Sequence, residues 1–160
     1  MTAAQGKHPR DSAVESRYLV MPSQANPFGT AFGGAIVAWI DMVAGMAAQR
    51  HCGTEAVTAS MDSLDFHVPI RVGEIVLLRA MVNYAGRTSM EVGVQVIREN
   101  PITGEQTVTT TAHLTFVALD ANKRPCPVPP LIPETDAEKR RYHNAEIRVQ
   151  MRKDMRQKMR

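Results

Sequence analysis

Residues 34–48 read Gly34-Ala-Ile-Val-Ala-Trp-Ile-Asp-Met-Val-Ala-Gly-Met-Ala-Ala48, and Asp41 is the single charged side chain in the run. Apolar residues occupy every angle of a 3.6-residue period, so the pattern predicts a helix enclosed on most of its circumference. An ionised carboxylate in such surroundings is costly unless a partner compensates it. Asp41 is therefore a reactive group, an Asp on the one wet edge of the helix, or a member of a buried hydrogen-bond network. Gly33 and Gly34 open the helix, and Gly53 stops it.

Outward from the helix the period changes from 3.6 toward 2. Strands are predicted near Ala56–Phe66, Glu74–Tyr84, Met90–Ile97 and Thr107–Leu119, with turns at Pro69/Gly73, Gly86–Ser89 and Asn100–Gly104. Met90, Val92, Val94 and Val96 alternate with Glu91, Gly93 and Gln95, the pattern of a half-buried strand. Before the helix, Arg17–Met21 is a short strand ended by Pro22, and Asn26-Pro27-Phe28-Gly29 is a turn. Successive antiparallel strands behind one buried helix predict the α+β class, with a sheet wrapped around that helix. Residues 1–16 read as a flexible N-terminus, 17–131 as the folded domain, and 132–160 as a Pro-rich exit and basic helical tail. In the tail, Ile147, Met151, Met155 and Met159 recur every four residues as a narrow apolar stripe.

A chain of 160 residues suits one domain. No apolar run is long and pure enough for a membrane span, and the N-terminus lacks the apolar core of a signal peptide. Cys52 and Cys126 fit neither a disulfide framework nor a zinc spacing, so the expected compartment is the cytoplasm and no metal is expected. Residues 139–160 hold nine Lys/Arg against two Asp/Glu, a balance of +7 that leaves about −4 elsewhere in a chain of total +3. The tail lacks interleaved aromatics for base stacking, so nucleic acid is not expected as a partner.

The chemistry concentrates in Asn26…Gly29…Phe32-Gly33-Gly34…Asp41. A helix N-terminus presents unpaired amides and a positive dipole end, suited to a carbonyl oxygen that gains charge. Glycines there let a ligand approach the backbone closely. Asn26 offers a donor and an acceptor, and Asp41 is a candidate general base or nucleophile. Asp41 lies eight residues beyond Gly33, about 12 Å along the axis, too far for one reacting carbon to touch both. A two-fold dimer that places the carboxylate of one chain near the helix start of the other would resolve the separation. His67 and His113 have no acid or thiol at a catalytic spacing and read as structural.

Several ordered segments together carry a family resemblance. They are Met21-Pro22 followed by Asn26, Phe32-Gly33-Gly34 with Asp41 downstream, and Phe66…Pro69…Gly73. Gly86-Arg87-Thr88-Ser89-Met90 follows, then Thr115-Phe116-Val117-Ala118-Leu119-Asp120 with Pro125 and Pro129. Over residues 17–130 the chain resembles the hotdog-fold acyl-CoA thioester hydrolases of the cytosolic acyl-CoA hydrolase family. The resemblance implies a single hotdog domain, with an antiparallel sheet around a central helix and homodimers assembling to a hexamer. It implies hydrolysis of acyl-CoA to a free acid and coenzyme A, with Asp41 as the catalytic carboxylate and Asn26 supplied by the facing subunit. It places the thioester carbonyl at Gly33/Gly34 and coenzyme A near Arg87, Thr88 and Ser89. It calls for no cofactor, since coenzyme A belongs to the substrate. Two other readings fit the same fold: a hydratase or dehydratase of acyl thioesters, and a non-catalytic acyl-CoA-binding module.

Overall fold

A computed structural model describes residues 5–160. In chain order the elements are α1 (Pro9–Ser12), β1 (Val14–Leu19), α2 (Gly33–Cys52), β2 (Glu55–Met61), β3 (Ile75–Ala85), β4 (Ser89–Glu99), β5 (Gln106–Leu119) and α3 (Asp136–Lys158). The strands form one antiparallel sheet in the order β1-β3-β4-β5-β2. The α+β class holds, and the sheet curls around α2.

Side-chain alternation explains the wrapping. Val76, Leu78, Ala80 and Val82 of β3 share one face with Met90, Val92, Val94 and Val96 of β4 and with Ala112, Leu114, Phe116 and Ala118 of β5. These residues are buried against Ile36, Ile40, Val43, Ala44, Ala47 and Ala48 of α2. Trp39 stacks on Tyr18 of β1 with ring centroids 4.9 Å apart. Gly53 ends α2 in the left-handed region at φ +71, where its amide bonds the Gln49 carbonyl.

Apart from β1, expected at Arg17–Met21 and found at Val14–Leu19, the elements part from the sequence reading in three places. The expected strand over 56–66 stops at Met61, and a loop carries the chain to Ile75. From residue 63 to residue 69 no strand among the described residues receives the backbone, whereas the Asp62 amide still bonds the His113 carbonyl.

At the N-terminus, residues 1–4 of the expected flexible segment 1–16 lie outside the described residues. Residues 9–16 are ordered: Ser12 is buried, its hydroxyl donating to the Pro9 carbonyl and accepting from the Val82 amide, so it continues the edge of β3 where β1 begins. Lys7 bridges to Leu131.

The third departure is the tail. Thr135 caps α3, its hydroxyl accepting from the Glu138 amide. The apolar stripe Ile147, Met151, Met155 and Met159 is exposed, with Met155 and Met159 bordering a cleft beside Ser60, Met61 and Asp62. Tyr142, Ala145, Arg148 and Arg152 face inward instead, so α3 is seated on the outer face of the sheet rather than standing apart from residue 132 onward.

Candidate active site

The α2 helix is not enclosed all round. Ala38, Met42 and Met46 form an exposed stripe, and Asp41, beside it, is only partly buried. Asp41 Oδ1 accepts a 2.6 Å hydrogen bond from the Thr58 hydroxyl of β2. β2 is an edge strand with a register shift between Thr58 and Ser60, and the neighbouring Val57 is exposed. The carboxylate therefore sits at the rim between the helix stripe and an unpaired strand edge, with Oδ2 left open.

Asn26 belongs to a tight loop. Its Oδ1 accepts from the amides of Phe28 at 3.0 Å and Thr30 at 3.2 Å, and its amide bonds the Thr30 carbonyl. Gly29 turns that loop at φ +77, and Phe28 stands at its tip, 86% exposed. The Phe32 amide bonds the Gln24 carbonyl, which draws this loop onto the start of α2. The first amides of α2 to find carbonyls are those of Ala35 and Ile36; among the described residues those of Gly33 and Gly34 have no backbone partner. A Cβ on Gly33 would meet the Phe66 ring at 3.6 Å.

One chain thus brings Asn26 and Gly33/Gly34 together, and Asp41 with Thr58, but not the two pairs with each other. Arg87, Thr88 and Ser89 lie in the β3–β4 turn, where the carbonyls of Thr88 and Arg87 accept from Ala118 and Val128. Ser89 pairs with Val117, two positions from the Leu119–Glu55 pair beside the C-terminal end of α2. That is the end opposite Gly33, so this turn does not join either pair within the chain. Thr58 was not anticipated from sequence. The available signal was a hydroxyl in the row Ala56, Thr58, facing the helix where large apolar side chains are the rule.

His67 is an exposed loop residue. His113 lies on the outer face of the sheet, its pKa lowered first by burial and next by the Arg148 guanidinium. A cleft of about 720 Å³ lies there too, between α3 and strands β1, β3, β4 and β5, lined by Arg79, Asn83, Gln95 and His113. It is not lined by Asp41 or Thr58. Among the described residues no three His, Cys, Asp or Glu side chains are grouped to hold a metal ion, and no helix is long and apolar enough to cross a membrane.

A sequence model of the Thioesterase superfamily matches residues 28–105. A Bacillus subtilis protein named as an uncharacterized acyl-CoA thioester hydrolase, YkhA, is 44% identical over 145 residues, which are 91% of this chain and 84% of that one. This chain belongs to the acyl-CoA thioester hydrolases. Solved structures agree with the assignment. The acyl-CoA hydrolase of Staphylococcus aureus, solved with butyryl coenzyme A and coenzyme A, is 40% identical, with 96% of this chain and 93% of that chain covered and a TM-score of 0.89. A hexameric acyl-CoA thioesterase is 42% identical, with 94% and 97% covered and a TM-score of 0.90. The hydrolase described here is an enzyme of the hotdog fold, acting on acyl-CoA thioesters. In solved mutants of the S. aureus enzyme an Asn, an Asp and a Thr are each replaced by Ala, and these positions lie 15 and 17 residues apart. Asn26, Asp41 and Thr58 are separated by the same 15 and 17 residues.

Proposed function

We propose that Asp41, oriented by Thr58, activates water against the thioester carbonyl, while Asn26 and the Gly33/Gly34 amides of a second copy of the chain complete the site. The 2.6 Å Thr58–Asp41 hydrogen bond is the observation that carries this reading. It fixes one carboxylate oxygen and leaves the other free to take a proton from water. The hydroxide attacks the carbonyl carbon, the resulting oxyanion is held by the unpaired amides at the helix start, and the C–S bond breaks. The departing coenzyme A thiolate takes the proton back from Asp41. Direct attack by the free carboxylate oxygen, with loss of the thiolate to a mixed anhydride, is the variant mechanism, and it alone leaves solvent ¹⁸O in the Asp41 side chain when water then opens the anhydride at the Asp41 carbonyl.

The layout supports a second copy. Gly33 and Asp41 are about 12 Å apart on one helix axis. The exposed stripe Ala38, Met42, Met46 lies beside the free edge of β2, the surface an isologous dimer would cover. An antiparallel partner would bring its Gly33 end toward this chain's Arg87–Ser89 turn, where a guanidinium and two hydroxyls suit the phosphates and amides of coenzyme A. We further propose that such dimers assemble to a hexamer in the cytoplasm, with no metal or redox cofactor and no nucleic-acid partner.

Mixing tests the shared site. Asn26→Ala and Asp41→Asn proteins, each inactive alone, are expected to regain activity when co-refolded, since mixed dimers hold one intact set. Proven heterodimers without any recovery would place both residues in one protomer. A panel of acyl-CoA esters followed by free-thiol release, with the Asp41→Asn protein as control, reads the chemistry itself.

A further inference from the structure

Thr58 can orient Asp41 only if β2 holds its own position, and the sheet fixes this edge strand from one side only. β2 has a single neighbour, β5, and their register shifts between Thr58 and Ser60. Beyond that irregularity the strand ends at Met61, followed by Asp62, whose amide bonds the His113 carbonyl at 3.0 Å. The Asp62 side chain is what ties this end down. Arg152 Nη1 of α3 donates to both its oxygens, at 2.9 and 2.8 Å.

Arg152 is itself anchored. Its second nitrogen lies 3.7 Å from Glu91 Oε2 of β4, and Glu91 is 1% exposed. Arg148, one turn earlier on α3, donates to Glu91 Oε1 through Nε at 2.9 Å and Nη2 at 2.6 Å. The two arginines therefore fix α3 to a central strand, and Arg152 alone extends that fixture to the end of β2. Planar guanidinium groups suit the task, because a fork bound at two points sets direction as well as distance.

We propose that Arg152 is a positioning residue for hydrolysis, acting through Asp62 and the end of β2 to hold the Thr58 hydroxyl against Asp41. The proposal rests on the Thr58–Asp41 reading above. A shift of about 1 Å or less in a catalytic group can cost a tenfold or larger factor in rate. Substrate binding at the helix start and the β3–β4 turn involves neither Arg152 nor Asp62, so the cost should fall on kcat and spare KM.

A cycle of kcat measurements on the whole enzyme tests it, using Arg152→Gln, Thr58→Val and the double variant. Arg152→Gln is expected to lower kcat about tenfold with KM unchanged. In the Thr58→Val background the same change is expected to cost nothing further, because the group it positions is gone. Arg152→Lys is expected to restore only part of kcat, since it keeps the charge and loses the fork. Full additivity of the two changes in kcat would overturn the proposal, and so would a loss confined to KM or an Arg152→Gln protein of wild-type kcat. An unchanged kcat in Thr58→Val would overturn the Thr58 reading and this proposal with it. If Arg152→Gln fails to fold, Asp62→Asn takes its place in the cycle, with the same outcomes deciding.

Discussion

The two long helices lie on opposite faces of one sheet and are held there by different forces. α2 rests on the concave face through Ile36, Ile40, Val43, Ala44 and Ala47, all buried, and its few polar groups sit at a rim or at an end. α3 crosses the convex face, where Asn83, Glu91 and His113 replace the apolar row, and it is held by Arg148, Arg152 and the tilted Tyr84–Tyr142 contact. Apolar burial is non-directional, so it gives α2 its stability and leaves it room to carry a carboxylate. Ion pairs are directional and add little net stability, so they set the position of α3 more than they hold the fold together. On the reading proposed above, catalysis belongs to the first helix and alignment to the second.

The largest expected effect is on the chemistry carried by α2. Asp41→Asn should lower kcat by about 10² to 10⁴-fold, the span for a positioned general base, with melting temperature and coenzyme A binding little changed. Steady-state kinetics and calorimetry check it. Hydrolysis near the wild-type rate would remove Asp41 from the mechanism.

Breaking the ionic hold of α3 comes next. Arg148→Met leaves Glu91 buried with only the 3.7 Å Arg152 contact, and losing one partner of a buried pair costs about 3–5 kcal/mol when the other stays buried. α3 can relieve that cost by leaving the sheet, so hydrogen exchange should show its protection lost while that of α2 persists. Adding Glu91→Leu should restore the protection. Ile40→Ala should behave in the opposite way. It removes fully buried atoms from α2 and should lower global stability by about 2–5 kcal/mol, with both helices losing protection together. If Ile40→Ala loosened α2 alone, the contrast between the two helices would fail.

The first helix was legible because its signals are local. An apolar run, two glycines at its start, one at its end and a single charge suffice to place α2 and Asp41. Strand alternation likewise placed β3, β4 and β5 within two residues of their ends. Thr58 was not legible, because its role depends on a register shift and on a contact 17 residues away in sequence. Nor was the docking of α3. Its hydrophobic period points to Ile147, Met151, Met155 and Met159, whereas the face against the sheet is chosen by carboxylates on distant strands, Glu91 and Asp62. Pairing of that kind has no period.

A smaller effect separates the two faces by pH. His51 is fully buried in the last turn of α2, where Nε2 donates to the Pro129 carbonyl at 2.7 Å and Nδ1 has no partner. Burial holds its pKa below the ordinary 6.5 despite that hydrogen bond. The unfolded chain therefore takes up a proton near pH 6.5 that the native chain still refuses, so stability is full above that pH and declines as pH falls through the window below it. His113 is shifted in the same direction, by burial and then by Arg148. His51→Gln keeps a donor for Pro129 and should flatten part of the decline in melting temperature between about pH 7 and pH 5. A decline unchanged by His51→Gln would assign the sensitivity to His113 and the convex face.

The smallest expected effect falls where the sequence pattern is most suggestive. Met155 belongs to the periodic stripe of α3, yet it is 61% exposed, at the margin of the cleft beside Met61 and Asp62. If the stripe takes no part in seating α3, Met155→Gln should change stability by no more than about 0.5 kcal/mol, the usual range for surface substitutions. Gln also preserves helix propensity, so any larger loss cannot come from the helix itself. Chemical denaturation at two protein concentrations reads the result. A larger loss independent of concentration would mean that the stripe packs on its own chain and that α3 is held as α2 is. A loss that grows on dilution would mean that a second copy covers the stripe, and the ionic hold would then be only half of what keeps α3 in place.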